Sequence, residues 1–317
     1  VTGSRARGGS PPGPPQLAVV VPTDSWERLS ALVRSLELQV PPLELELVAV
    51  TEDPAAVDVP SEWQGRVTVT RGPGDDVPAA HAAGVVAASA PIVFLAETHA
   101  YPAPTALPAL VAAFGDPSVA CAVPRIGNAN PRTSRSWVSL HVAYGRWVVV
   151  EPVEMATAPA FNAAWRREAL LALGDRLADA LGAGGGVDDE LRASGARLLG
   201  VPEAVVEHTN VVRTWTWLAN RIDSSRLFAA ARSRSWSRPR RALYGVGSPA
   251  LAPLLVWRTL RSPAWRSTAS QRGAASVPLL AVSATAASLG EALGYLTGSG
   301  GARRRVTDVE LRRSSYA

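Results

Sequence analysis

An apolar run in "FLAETHAYP" (94–102) stops at Glu97-Thr98-His99. A carboxylate and an imidazole two positions apart project to the same side of an extended chain. Such a pair can hold a metal ion, or serve as acid and base on one substrate. It can also be two solvated loop residues. Similar chemistry recurs at Thr23-Asp24 and at Glu52-Asp53, each just past an apolar run, and at the consecutive acids Asp188-Asp189-Glu190. The last group has a structural reading too, because acids in the first turn of a helix complement its dipole.

These residues need elements to position them. "QLAVVVP" (16–22), "LELELVAV" (43–50), "RVTVT" (66–70) and Pro91–Ala96 read as short strands. Between them, Trp26, Leu29, Leu32, Val33 and Leu36 recur at helical spacing, and Pro78–Ser89 reads as a small-residue helix. Strands alternating with helices predict an α/β layer fold around a mostly parallel sheet. In such sheets ligands bind at the carboxyl ends of the strands. Thr23-Asp24, Glu52-Asp53 and Glu97-Thr98-His99 all fall there. No Gly-x-Gly-x-x-Gly turn follows the first strand and no Gly-Lys-Ser/Thr occurs, which argues against dinucleotide and P-loop sites.

Composition narrows the partners. All 32 basic residues are arginine, and the single Cys121 excludes an internal disulfide or a multi-cysteine zinc site. Acids dominate residues 1–210, where 15 arginines face 23 Asp and Glu; 17 arginines face 4 acids in 211–317. That basic half predicts an anionic partner. The opening "VTGSRARGGSPPGPPQ" has a Pro/Gly tract where a signal peptide has its apolar stretch, and reads as a disordered arm over 1–15.

The order of a "VVVPT" strand, an acidic triplet after the fourth strand, "NAAWRREAL" (162–170), an acidic run and "LRASGARLLGVPEAVVEH" (191–208) resembles the family 2 nucleotide-sugar glycosyltransferases of GT-A fold, in their membrane-associated, actinobacterial type. The resemblance covers roughly residues 16–210. It implies a GT-A-like (Rossmann-like) sheet flanked by helices. It also implies that Thr23, Asp24, Glu52, Asp53, His81 and Asn162 contact the nucleotide-sugar. Glu97, His99 and His208 would then hold a divalent ion, Mn²⁺ or Mg²⁺, with Glu-x-His in place of the family's Asp-x-Asp. Asp188, Asp189 and Glu190 fall near the family's catalytic acids, and Asp189 is the expected base. His81-Ala82 replaces a usual Arg-Asn pair. His141, between Leu140 and Val142, is expected to be packed.

Residues 213–241 read as one basic helix with a partial apolar stripe of Trp217, Ile222, Leu227 and Phe228. Tryptophan and arginine on one amphipathic element suit an anionic membrane surface. The charge-free stretches 242–257 and 273–290 read as interfacial or re-entrant, and this favours a membrane over a nucleic acid. The organisation expected is a glycosyltransferase domain at 16–210, a helical membrane-associating region at 211–300 and a basic tail at 301–317. The activity expected is inverting transfer of a sugar to a lipid-linked or polysaccharide hydroxyl at the cytoplasmic membrane face. The alternative is a catalytically silent module that binds nucleotide or glycan.

Overall fold

A computed structural model describes residues 14–317, so most of the expected disordered arm lies outside the described residues. In chain order the elements are β1 (Leu17–Pro22), α1 (Trp26–Glu37), β2 (Leu45–Thr51), β3 (Val67–Arg71), α2 (Val77–Ala87), β4 (Ile92–Leu95), β5 (Ala100–Pro102) and α3 (Ala106–Ala113). There follow β6 (Val119–Asn128), α4 (Ser134–Tyr144), β7 (Ala164–Arg166), α5 (Arg167–Leu171), α6 (Leu177–Leu181), α7 (Val187–Ala193) and β8 (Arg197–His208). The rest is helical: α8 (Thr214–Arg232), α9 (Arg238–Gly247), α10 (Leu251–Arg261), α11 (Pro263–Ser267), α12 (Ser276–Thr297) and α13 (Ala302–Leu311).

The eight strands form one sheet in the order β3-β2-β1-β4-β7-β6-β8-β5. β3, β2, β1 and β4 are parallel, as the alternation of strand and helix predicts. β7 then runs antiparallel between β4 and β6, while β6 and β8 pair in parallel. The two-residue period of the strands divides the core. Leu17, Val19 and Val21 pack on one face with α1 and α3; Ala18 and Val20 pack on the other with α2, α5, α6 and α7. Helix α2 sits close because of Gly84, where a Cβ would collide with Val20 and Val50.

Several expectations need correction. The chain after Glu97-Thr98-His99 is not simply a loop: Ala100–Pro102 pairs antiparallel with β8, and Ala100 faces His208. The two short apolar segments expected before His208 are one twelve-residue strand, β8, whose register against β6 slips after Pro124. The single basic helix at 213–241 is broken between Arg232 and Arg238, where Pro239 starts α9. Of its apolar stripe, Trp217 is covered by the protein while Phe228 is 39% exposed. Trp217, Ser225 and Ala229 are buried, and α12 lies against α8 so closely that a Cβ at Gly290 or Gly294 would strike the Ile222 or Arg226 carbonyl.

A third cluster of Val138, Val211, Trp217, Trp265 and Leu280 ties these helices to α4. His141 packs against its Trp265, buried and bonded to the Thr268 hydroxyl at 2.8 Å. Helix α12 is long and apolar enough to cross a membrane, and 44% of its apolar window is buried in the protein. Residues 301–317 are no free tail. They form α13 and a short 3₁₀ turn, Arg313–Tyr316, whose Tyr316 carbonyl accepts from the Val212 and Arg213 amides.

Candidate functional site

The carboxyl edge of the sheet opens onto a cleft of about 1000 Å³ between α6–α7 on one side and α8 and α13 on the other. Glu97 stands at its floor, just past β4. The β5–β8 pairing then does what sequence spacing alone could not. With Ala100 opposite His208 and the Thr209 amide bonded to the His99 carbonyl, the two imidazoles lie 4.9 Å apart between ring centres. His99 Nε2 is 3.5 Å from Glu97 Oε2, and His208 Nε2 is 3.4 Å from the same oxygen.

All three groups are buried: Glu97 is 9% exposed, His99 and His208 1% each. Burial works against ionisation of Glu97, but His99, His208 and the Arg313 guanidinium outweigh it and hold the carboxyl well below the usual carboxylate range. Burial, and then Arg313, hold the His99 imidazole well below its ordinary value. Two donors fix the carboxylate. Tyr144 donates its hydroxyl to Glu97 Oε2 at 3.0 Å, and Asn162 donates its amide to the same oxygen at 2.5 Å. Asn162 adopts φ +61°, a left-handed conformation that asparagine tolerates better than most residues. Burial and the nearby Glu97 raise the Tyr144 pKa well above its ordinary value, which keeps it a donor.

His208 is oriented from behind. Its Nδ1 donates to Asn210 Oδ1 at 3.1 Å, which turns Nε2 toward Glu97. Asn210 in turn donates to Asn128, which also accepts from Ser136. Partners of this kind fix the tautomer of a metal-binding histidine. Neither His99 ring nitrogen nor His208 Nε2 has a hydrogen-bond partner among the described residues. Buried polar groups are ordinarily paired. A divalent cation would supply the missing partner. Glu97, His99 and His208 form a group that could hold one, and their N₂O chemistry suits it.

The other expected site residues are distributed unevenly. Thr23 is buried and spends its hydroxyl on the Ser25 carbonyl. Asp24 accepts from Arg28, Asp53 caps a turn through the Ala55 amide, and Glu52 is exposed with no side-chain partner among the described residues. His81 is a correction: it is fully buried, stacked on Phe161, with its ring nitrogens 3.0 Å from the Val77 and Ala96 carbonyls. No ring nitrogen is left for a phosphate. Asn162 holds Glu97 rather than reaching out to a nucleotide.

Of the acidic triplet, successive helical positions point in different directions, and only Glu190 lines the cleft. Asp189, the expected base, is exposed beside Arg192, and Asp188 accepts from the Ala158 amide. Four residues at the site were not anticipated: Tyr144, Asn210, Glu310 and Arg313. Asn210 could have been found, since it lies two positions beyond His208 in an extended chain. The one acid flanked by arginines in "VELRR" was a signal for Glu310.

No protein-family model matches the chain, and no curated protein matches it. Solved structures do. The mannosyltransferase PcManGT from Pyrobaculum calidifontis, in complex with GDP-Man and Mn²⁺, is 18% identical, with a TM-score of 0.51 over 90% of this chain and 90% of its own. The fold is GT-A-like. GalNAc-T7 with UDP, GalNAc and Mn²⁺ is 17% identical with a TM-score of 0.49, matched over 71% of this chain. This chain spans 52% of that protein's length. S. aureus TarS 1–349 with UDP is 14% identical, with a TM-score of 0.46 over 87% of this chain and 89% of its own. In the GT-A-like frame, the Glu97–His99–His208 group lies just past β4, at the carboxyl edge where the cleft opens.

Proposed function

We propose that this chain is a metal-dependent glycosyltransferase that moves a sugar from a nucleoside diphosphate to a hydroxyl acceptor with inversion. The observation that carries the reading is the group of buried, unpartnered donors at the floor of the cleft. The fold it shares with a mannosyltransferase solved with GDP-Man and Mn²⁺ supports the same reading. Glu97, His99 and His208 would hold the divalent ion, which when bound neutralises the leaving diphosphate. Tyr144 and Asn162 keep Glu97 ionised and aimed. Glu190, positioned by its ion pair with Arg176, takes the proton from the acceptor hydroxyl. The acceptor oxygen then bonds to the anomeric carbon as the bond to the diphosphate oxygen breaks. One displacement of this kind inverts the centre, and a base so placed contributes on the order of 10²–10⁴ in rate.

We further propose that residues 16–210 carry this chemistry and that the helical region acts at the cytoplasmic face of a membrane on a lipid-linked or polysaccharide acceptor. Exposed side chains support it: Leu243 and Val246 on α9, Leu254 and Trp257 on α10, and Val277, Val282 and Leu289 on α12. Arg240, Arg258 and Arg261 are interspersed, with Arg261 over the Trp257 ring. Sedimentation with anionic vesicles, lost on Leu243→Ser with Trp257→Ser and absent with neutral vesicles, is the outcome expected.

A second reading, a silent binding module, is favoured by the outward position of Asp189. Thermal unfolding with UDP, GDP and dTDP, with and without Mn²⁺, tests both readings on wild type and His99→Ala. Ligand at 100 times its Kd stabilises by about 2.7 kcal/mol. A Mn²⁺-dependent shift lost in the variant, with release of nucleoside diphosphate from the matching sugar donor, is expected for the enzyme. The same shift without turnover leaves the silent module, and no shift with any nucleotide sinks the enzyme and leaves the module only as a glycan binder.

A further inference from the structure

The last turn of α13 and the 3₁₀ turn after it each bring one charged side chain to the cleft, Glu310 and Arg313. Arg313 is 8% exposed and pairs with Glu310 through Oε1. The other carboxylate oxygen, Glu310 Oε2, is buried, has no hydrogen-bond partner among the described residues, and lies 3.6 Å from His99 Nε2. The spacings of 3.5 and 3.4 Å around Glu97 are those of side chains that can share one ion, whereas Glu310 stands outside the group whose ligand atoms all lie within 4.8 Å of one another and joins it by swinging in from His99. Glu97, His99 and Glu310 also border a cavity of about 10 Å³, near the volume needed by one water-sized sphere.

We propose that Glu310 is a fourth, intramolecular ligand of the cation held by Glu97, His99 and His208, and occupies the coordination position that a nucleotide diphosphate oxygen must take. This rests on the metal-dependent reading above. Charge supports it: two carboxylates against one guanidinium leave the pocket one negative charge in excess, which a divalent ion turns into one positive charge. Arg313, released from Glu310, then faces the incoming phosphate. A carboxylate on the ion adds negative charge where the diphosphate must bind, and it has to leave before a phosphate oxygen can take its position. The C-terminal helix therefore holds the site shut until nucleotide displaces Glu310. Only its last turn has to give, because the rest is anchored elsewhere. Arg305 forks onto Asp223 at 2.6 and 2.7 Å, and the Thr307 hydroxyl donates to the Asp75 carbonyl.

Calorimetric titration of the full chain tests this, first with Mn²⁺ alone and then with UDP or GDP in saturating Mn²⁺. Relative to wild type, Glu310→Gln should bind Mn²⁺ alone about tenfold more weakly or worse, and should bind the nucleoside diphosphate tighter by a similar factor, because the competing carboxylate is gone. Hydrogen exchange on the wild type gives a second readout that does not depend on the variant folding. Mn²⁺ should slow exchange over 308–316, and nucleoside diphosphate added with Mn²⁺ should restore it. If Glu310→Gln binds Mn²⁺ as wild type does, or if 308–316 ignores Mn²⁺, the Glu310 proposal falls. If wild type itself binds no Mn²⁺, or His99→Ala binds it equally well, the metal reading falls first.

Discussion

Two corners of the same sheet edge carry acidic residues and treat them differently. At the β1–β2 corner the acids are mostly satisfied. Asp24 accepts from Arg28 at 2.6 Å, Asp53 caps a turn, and Asp76 caps α2 through the Ala79 amide while pairing with Arg303. At the β4–β5–β8 corner, Glu97 shares one oxygen with two donors while two imidazole nitrogens face it unpartnered. The acids are no denser there. The demand for a partner is unmet, and unmet demand in a buried place distinguishes a ligand site from a well-capped loop.

The largest effect that could break this contrast is on cation binding. His99→Ala or Glu97→Gln should lower Mn²⁺ affinity by more than about 100-fold, because each removes a direct donor and even outer partners are worth 10–100-fold. Asp76→Asn at the satisfied corner should leave it unchanged. Calorimetry on the three variants decides, and an equal loss from Asp76→Asn would erase the distinction. A smaller effect sharpens it. Asn210→Ala keeps every donor but frees the His208 ring, so Mn²⁺ affinity should fall by roughly 10–100-fold.

The satisfied corner was the more legible one in sequence. Asp24 and Asp53 were placed correctly past their strands, because apolar runs bounded by prolines fix strand ends locally. The core face of α1 was legible for the same reason. What could not be read was contact made through pairing far apart in the chain. His99 meets His208 because three residues of β5 pair with the end of β8, and no local pattern marks a three-residue strand. Likewise Asp189 looked the natural base until helical rotation turned Glu190 toward the cleft. The basic composition of 301–317 suggested no more than a basic tail and hid two inward side chains, Glu310 and Arg313.

Protonation extends the comparison to the other two buried histidines, His81 and His141. Burial lowers the His81 pKa, against the opposing pull of its two carbonyl partners, and burial with Arg272 lowers His141 to about 4. The unfolded chain therefore takes up protons below about pH 6.5 that the folded chain refuses. Stability falls as pH drops through that window, by up to about 1.4 kcal/mol per pH unit for each histidine, down to about 4 for His141. His141→Gln can keep the bond to Thr268 and should remove one such contribution. Denaturant unfolding at pH 7 and pH 5.5 measures it. An unchanged pH slope in the variant would mean that His141 already takes up its proton in the fold.

The smallest effect probes the satisfied corner itself. Asp53 and Glu52 are neighbours past the same strand, yet Asp53 has its partner in the Ala55 amide and Glu52 has none among the described residues. If satisfaction is the criterion, the two should separate by readout. Asp53→Ala loses a cap and should cost about 0.5–1 kcal/mol in denaturant unfolding, with nucleotide affinity unchanged. Glu52→Gln should leave stability within about 0.5 kcal/mol, as for an exposed residue. Any loss at this rim in binding UDP or GDP with Mn²⁺ should then come from Glu52, whose carboxylate is free to accept from a ribose hydroxyl or base. The reverse pattern, with affinity following Asp53, would mean that a capped carboxylate still has capacity to spare. A second lone pair on Asp53, not an unmet partner, would then mark the ligand.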